Sequence, residues 1–177
     1  SVIDREGSAV LAGLGAACRA LDADTAAHEV ERLIGWGEGL TPAGDDVLVG
    51  WCAAFSALAG DCTHRRHFRH AFYAAILARA HRTTPIAAPY LRLAARRHFT
   101  ADVTHLHDAL LCGQDPGSSV GALDAALDVG ATSGADMVTG MIAGIAAWRE
   151  EYSGLESARP RDGPADLPPN RTPHGSN

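Results

Sequence analysis

Aromatic residues make up only 6% of this 177-residue chain, its cysteines are few and unpaired, and no apolar run is long and unbroken enough to span a bilayer. Each shortage narrows the field. Few aromatics alongside abundant alanine and leucine favour helices packed closely through small side chains. Cys18, Cys52, Cys62 and Cys112 fall singly, without the spacing of a zinc site or a disulfide framework, so they read as reduced thiols and point to the cytoplasm. The charge balance lacks a basic excess: at −6, no general nucleic-acid or anionic-membrane surface is expected. No signal peptide is visible, and the start at Ser1 rather than Met fits a processed chain or a piece of a longer one. The length suits one domain with a proper core.

What the chain does have is a glycine-rich turn running into an apolar helix, Gly35-Trp-Gly-Glu-Gly-Leu-Thr-Pro-Ala-Gly-Asp-Asp-Val-Leu-Val-Gly50. Thr41-Pro42 reads as a helix start, with the threonine hydroxyl accepting an orphan N–H and proline in the first helical position. Asp45 and Asp46 then precede a run from Val47 to Leu58 that is apolar on every face and therefore buried. Two helices, 8–21 and 25–34, come before it, divided by the capping Asp22 and Asp24. After it, helices are expected over 63–81, from Thr84-Pro85 to Arg97, from Asp102 to Gly113, from Ser118 or Ser119 through Leu127, and from the turn at 130 through Trp148. That last stretch echoes the first: aligning Asp136 with Asp46 also aligns Gly134 with Gly44 and Gly140 with Gly50. Gly140 and Gly144 allow a close helix approach, and nothing resembles a strand pattern. The fold class that follows is all-α, a single compact domain of about eight helices around two central antiparallel apolar helices. It covers residues 1–152; the Pro-, Arg- and Gly-rich segment 153–177 is expected to be a disordered tail.

Three helix starts share a composition: Thr41-Pro42, Thr84-Pro85 and Thr132-Ser133. Each offers hydroxyls, unpaired N–H groups and a positive dipole end, which together favour an anionic ligand. If the three meet, Gly39, Thr41, Gly44, Asp45, Thr83, Thr84, Thr132, Ser133 and Gly134 line one pocket, and Arg82 adds a bidentate clamp. Asp46 and Asp136 are the candidate catalytic pair, because a carboxylate leading into a buried helix is costly unless it is paired, capping or used. Capping and dipole complementarity are the plain alternative for each residue taken singly. His64, His67 and His70 share a helix face, but interleaved Arg65, Arg66 and Arg69 oppose metal binding, so the row reads as a solvated face. His105 and His107 read as surface residues, Cys52 as a core thiol, and Trp51 and Trp148 as core packing. No metal and no cofactor are expected.

The blocks Gly-Glu-Gly-Leu-Thr-Pro-Ala-Gly-Asp-Asp-Val-Leu-Val-Gly, Arg-Thr-Thr-Pro-Ile and Gly-Ala-Thr-Ser-Gly-Ala-Asp-Met-Val-Thr-Gly resemble the signature blocks of a bacterial family of unknown function. That family includes the AllH-type subunit of oxamate carbamoyltransferase, and the resemblance spans roughly residues 33 to 148. It implies a place in allantoin breakdown and purine degradation, where oxalurate and phosphate give oxamate and carbamoyl phosphate, within a complex of other subunits. Ala43 stands where the family commonly has serine, Ala87 lies near a second expected serine, and Arg96 or Arg97 stands where a glycine is expected. Relatives also carry a substantial segment upstream of the first block.

The leading expectation is therefore a carbamoyltransferase subunit binding a small carboxylate or carbamoyl ligand, with Asp46 and Asp136 accepting hydrogen bonds from the amide nitrogen. Its partners are the small anionic substrate and other subunits, with neither nucleic acid nor membrane, and with a homo-oligomer allowed. Two other readings use the same residues: a magnesium-dependent helical hydrolase in which Asp45, Asp46 and Asp136 hold the ion, and a non-catalytic helical partner.

Overall fold

The computed structural model describes residues 5–58, 62–111, 116–127 and 132–156. Among them are eight α-helices and no strand: α1 Arg5–Ala20, α2 Ala23–Leu33, α3 Ala43–Ala57, α4 Thr63–Arg79, α5 Ala87–Ala94, α6 Ala101–Leu111, α7 Pro116–Leu127 and α8 Ser133–Glu156, with a 3-10 turn at Ala80–Arg82. The local grammar explains the starts. Asp22 caps α2 by accepting from the backbone of Asp24 and Thr25, and the Thr84 hydroxyl accepts the Ala87 N–H at the entrance to α5. α8 runs past Trp148 to Glu156, four residues into the segment expected as tail, and residues 157–177 lie outside the described residues. Cys112 and the expected helix stops at Gly60 and Gly113 also lie outside them.

Every residue of α3 from Ala43 to Phe55 is buried, so this helix is the core that the others cover. Along it lies α8, and the two backbones touch. A β-carbon on Gly50 would sit 1.9 Å from the Met137 carbonyl oxygen, and one on Gly140 would sit 2.0 Å from that of Val47. The contact is reciprocal, each glycine lying over the carbonyl three residues before the other, and it realises the echo in the sequence as a paired packing motif. Only hydrogen at both positions permits this approach.

The two helices are parallel, which corrects the antiparallel arrangement expected from sequence. At one end the Thr41 and Ser133 hydroxyls lie 2.8 Å apart, and at the other the Trp148 indole N–H donates to the Leu58 carbonyl at 2.6 Å. Parallel packing requires a long return connection, and α4 through α7 provide it. Its consequence for function is direct: both helix N-termini, with their positive dipole ends, meet at one pole.

At the far pole Phe55 and Trp148 pack with ring centroids 4.5 Å apart, and Trp51 and Trp148 are fully buried, as expected. Arg65 departs from expectation. The sequence places it on a solvated histidine face, and His64, His67 and His70 are exposed. Arg65 itself is buried, with its guanidinium 4.7 Å from the Trp148 ring and donating to the Trp148 carbonyl at 3.1 Å. It serves the core as a cation over an indole face. No helix among the described residues is long and apolar enough to cross a membrane.

Candidate functional site

Asp45 and Asp46 leave the first turn of α3 in different directions, and that divergence organises the site. Asp45 is a structural tie. Its Oδ1 accepts the Gly35 N–H at 3.0 Å and its Oδ2 accepts the Thr83 hydroxyl, so one buried carboxylate fixes the glycine turn to the segment before α5. Burial raises its pKa, and the Thr83 and Gly35 bonds oppose the rise. Thr83→Val is expected to cost about 1–2 kcal/mol of stability, because it leaves a buried carboxylate oxygen unsatisfied. Urea unfolding measures the loss.

Asp46 turns toward the joint N-termini. Burial is the first cause that pushes its pKa up to about 7; the Ser133 and Thr41 hydroxyls act against it, while the nearby charges of Asp136 and Asp45 add to it. The carboxyl is only 8% exposed, and its Oδ2 has no hydrogen-bond partner among the described residues. It lines a cavity of about 370 Å³ together with Thr41 and Ser133. Asp136, the counterpart of Asp46 in the echo, is fully buried at the same pole and does not reach the cavity wall.

Thr41 does not cap α3. Pro42 occupies the cap position, its carbonyl accepting from Asp45 N at 2.9 Å and Asp46 N at 3.3 Å, and the Thr41 side chain instead pairs with Ser133 across the helix pair. Thr84 joins the same loop by donating to the Leu40 carbonyl. The three hydroxyl-bearing starts are thus linked through residues 40–41, yet they do not form one cup. Thr83, Thr84 and Arg82 border a separate depression with Gly35, Gly37, Gly39 and Pro42.

The expected arginine clamp is corrected: the Arg82 guanidinium pairs with Glu31, which it and Arg79 hold below the usual carboxylate range. The glycines serve the backbone. Gly39 stands at φ +93 with open space around it, a conformation that favours glycine, whereas Gly44 lies against the Leu33 carbonyl, where a β-carbon would come within 2.1 Å. Gly134 is buried and Thr132 exposed. The Thr132 carbonyl accepts the Asp136 N–H at 3.1 Å.

Sequence reasoning missed most of the cavity wall. Ile86 at the cap of α5 and Tyr90 and Leu93 within it, spaced four and three apart, line it while 45–51% exposed, and His98, Phe99, Thr100, Asp102 and Val103 complete that side. The spacing is a signal in the sequence, since three large apolar residues on one helical stripe demand a covering surface or a ligand. Ala43 and Ala87 are buried off the cavity, so the missing serines do not strip it of hydroxyls. Among the described residues no group of three His, Cys, Asp or Glu side chains is placed to hold a metal ion. Asp45, with both oxygens engaged, does not join Asp46 and Asp136 as a magnesium ligand set.

These features define a class: an all-α domain with a largely apolar cavity, carrying Asp46 and the Thr41 and Ser133 hydroxyls, where two parallel buried helices begin. A family model described as oxamate carbamoyltransferase subunit AllH matches residues 33–145. The matched span covers α3, α5, α6 and the start of α8, and so every wall of the cavity, and the chain belongs to that family. No curated protein and no solved structure gives a significant match.

Proposed function

We propose that this chain is a carbamoyltransferase subunit that receives the carbamoyl end of a small ligand in the cavity beside Asp46, in a transfer between oxalurate or oxamate and phosphate. The observation that carries this reading is Asp46, a buried carboxyl whose Oδ2 has no partner, among the residues lining a largely apolar cavity beside the Thr41 and Ser133 hydroxyls. A buried oxygen without a donor is costly, and a ligand N–H₂ removes the cost.

The lining contains two carboxylates, Asp46 and Asp102, and neither Arg nor Lys, so the neutral carbamoyl end faces Asp46. A carboxyl with pKa about 7 exists in both protonation states near neutrality. Ionised, it accepts from the carbamoyl nitrogen. Protonated, it donates to the departing amide nitrogen as a phosphate oxygen bonds to the carbamoyl carbon and the carbon–nitrogen bond breaks. The products of that step are carbamoyl phosphate and oxamate, with the proton of Asp46 on the oxamate nitrogen. The exposed stripe of Ile86, Tyr90 and Leu93 at the cavity supports assembly with other subunits, in keeping with a family named for one subunit of an enzyme.

Thermal-shift titration with oxamate, oxalurate and carbamoyl phosphate tests the reading. At least one should raise the melting temperature of the wild type in a saturable way, and Asp46→Ala should abolish the rise. Three ligands without effect on the wild type, or an undiminished shift in Asp46→Ala, would leave the chain as a helical partner without a site of its own.

A further inference from the structure

We propose that the cavity beside Asp46 takes, as a class, uncharged ureas carrying a short alkyl or aryl substituent, with the carbamoyl end at Asp46 and the substituent against Val49, Met137 and Leu93. The proposal rests on the reading of Asp46 as the group that meets the carbamoyl nitrogen, and it adds what the rest of the molecule is made of.

The polar and apolar parts of the lining are sorted along the helix pair. Because α3 and α8 run parallel, their first turns lie together at one pole, where they contribute Asp46 and Ser133, with the Ser133 hydroxyl 2.8 Å from that of Thr41. One turn along each helix, roughly 5 Å further from that pole, the lining residues are Val49 and Met137. Spacings of three and four keep each pair on one helical face. Phe99 and Met137 pack against the cluster that holds Val103, so the wall from α6 and the segment before it continues the apolar side. Tyr90 and Leu93 border it from α5 with about half their surface exposed. His98, Thr100 and Asp102 are exposed, so water satisfies their polar atoms.

Among the described residues this lining holds neither Arg nor Lys. A carboxylate on the substituent would leave water for an apolar wall that already carries Asp46 and offers no cation, which is costly. Oxalurate therefore suits this lining at its carbamoyl end alone. A methylene in the same place gains instead, by about fourfold in affinity for each one fully buried.

NMR titration of the isotope-labelled full chain with methylurea, propylurea and β-ureidopropionate tests the proposal. Propylurea should bind about tenfold tighter than methylurea, the gain expected for two further methylenes buried in part. It should also bind at least tenfold tighter than β-ureidopropionate, which has a similar reach and ends in a carboxylate. In the double variant Tyr90→Ala, Leu93→Ala, the preference for propylurea over methylurea should fall to about threefold or less. Both side chains are about half exposed, so the variant should melt within about 3 °C of the wild type. Equal affinity for methylurea and propylurea, no binding of any of the three, or a preference for β-ureidopropionate would overturn the proposal. If oxamate, oxalurate or carbamoyl phosphate then still raises the melting temperature of the wild type and not of Asp46→Ala, the reading of Asp46 stands and the apolar substituent alone falls. Propylurea held as tightly by Asp46→Ala as by the wild type would refute the reading of Asp46, and the placement of the carbamoyl end with it.

Discussion

Gly50→Ala is expected to destabilise the protein by about 3 kcal/mol, lowering the melting temperature by about 10 °C for a chain of this size. The methyl group would stand 1.9 Å from the Met137 carbonyl oxygen and 2.8 Å from the Met141 nitrogen. Both are backbone atoms of α8, so no rotamer change relieves the clash, and the two helices must separate along their whole contact. Gly140→Ala should behave alike, since its clash is the reciprocal one with Val47. The double variant should lose less than the sum, because one separation serves both methyl groups. Gly121→Ala on α7, where nothing lies within 4 Å, is the control, and there alanine's helix propensity should leave stability equal or slightly higher. Thermal and urea unfolding followed by circular dichroism give these numbers.

Asp46→Asn carries the second large effect, and its sign depends on pH. The folded-state pKa of about 7 lies above the ordinary aspartate value of 3.8, so the fold prefers the protonated acid. Stability from this group is fully present below the unfolded pKa, falls as pH rises, and is lost once pH passes the folded value. The shift corresponds to about 4 kcal/mol before screening, and solvent reaching the carboxyl through the cavity reduces this to about 2 kcal/mol. Asparagine keeps the shape and does not ionise. Asp46→Asn should therefore gain on the wild type by about 2 kcal/mol between pH 4 and pH 8, even as it loses the ligand response. A stability difference that stays flat over that range would show that Asp46 does not titrate in this window.

How much of this was legible in the sequence differs by kind of signal. The buried helix α3 was readable because Val47 to Phe55 is apolar on all faces, and its glycine contact with α8 was readable because Gly50 and Gly140 recur in matched surroundings. Direction was not, because hydrophobic periodicity is the same read either way. The Thr41–Ser133 and Leu58–Trp148 bonds distinguish parallel from antiparallel. The Thr41-Pro42 grammar misassigned the cap for a related reason: a hydroxyl that can cap locally can also bond a residue 92 positions away, and tertiary contact won. Arg82 and Arg65 show the same limit for charge. One was expected in the pocket and pairs with Glu31, and the other was expected in solvent and lies over Trp148. Cavity walls from α5 and from residues 98–103 escaped notice because exposed apolar residues on a short helix look like ordinary surface until their neighbours are placed.

Carbon-13 NMR of the protein labelled at aspartate carboxyls, with Asp46→Asn to assign the resonance, reports on the account most directly. The Asp46 signal should titrate near pH 7 in the free protein and shift when oxamate, oxalurate or carbamoyl phosphate saturates the cavity. A resonance that titrates near pH 4 and stays unmoved by all three compounds would contradict the claim that this carboxyl is held ready for a ligand.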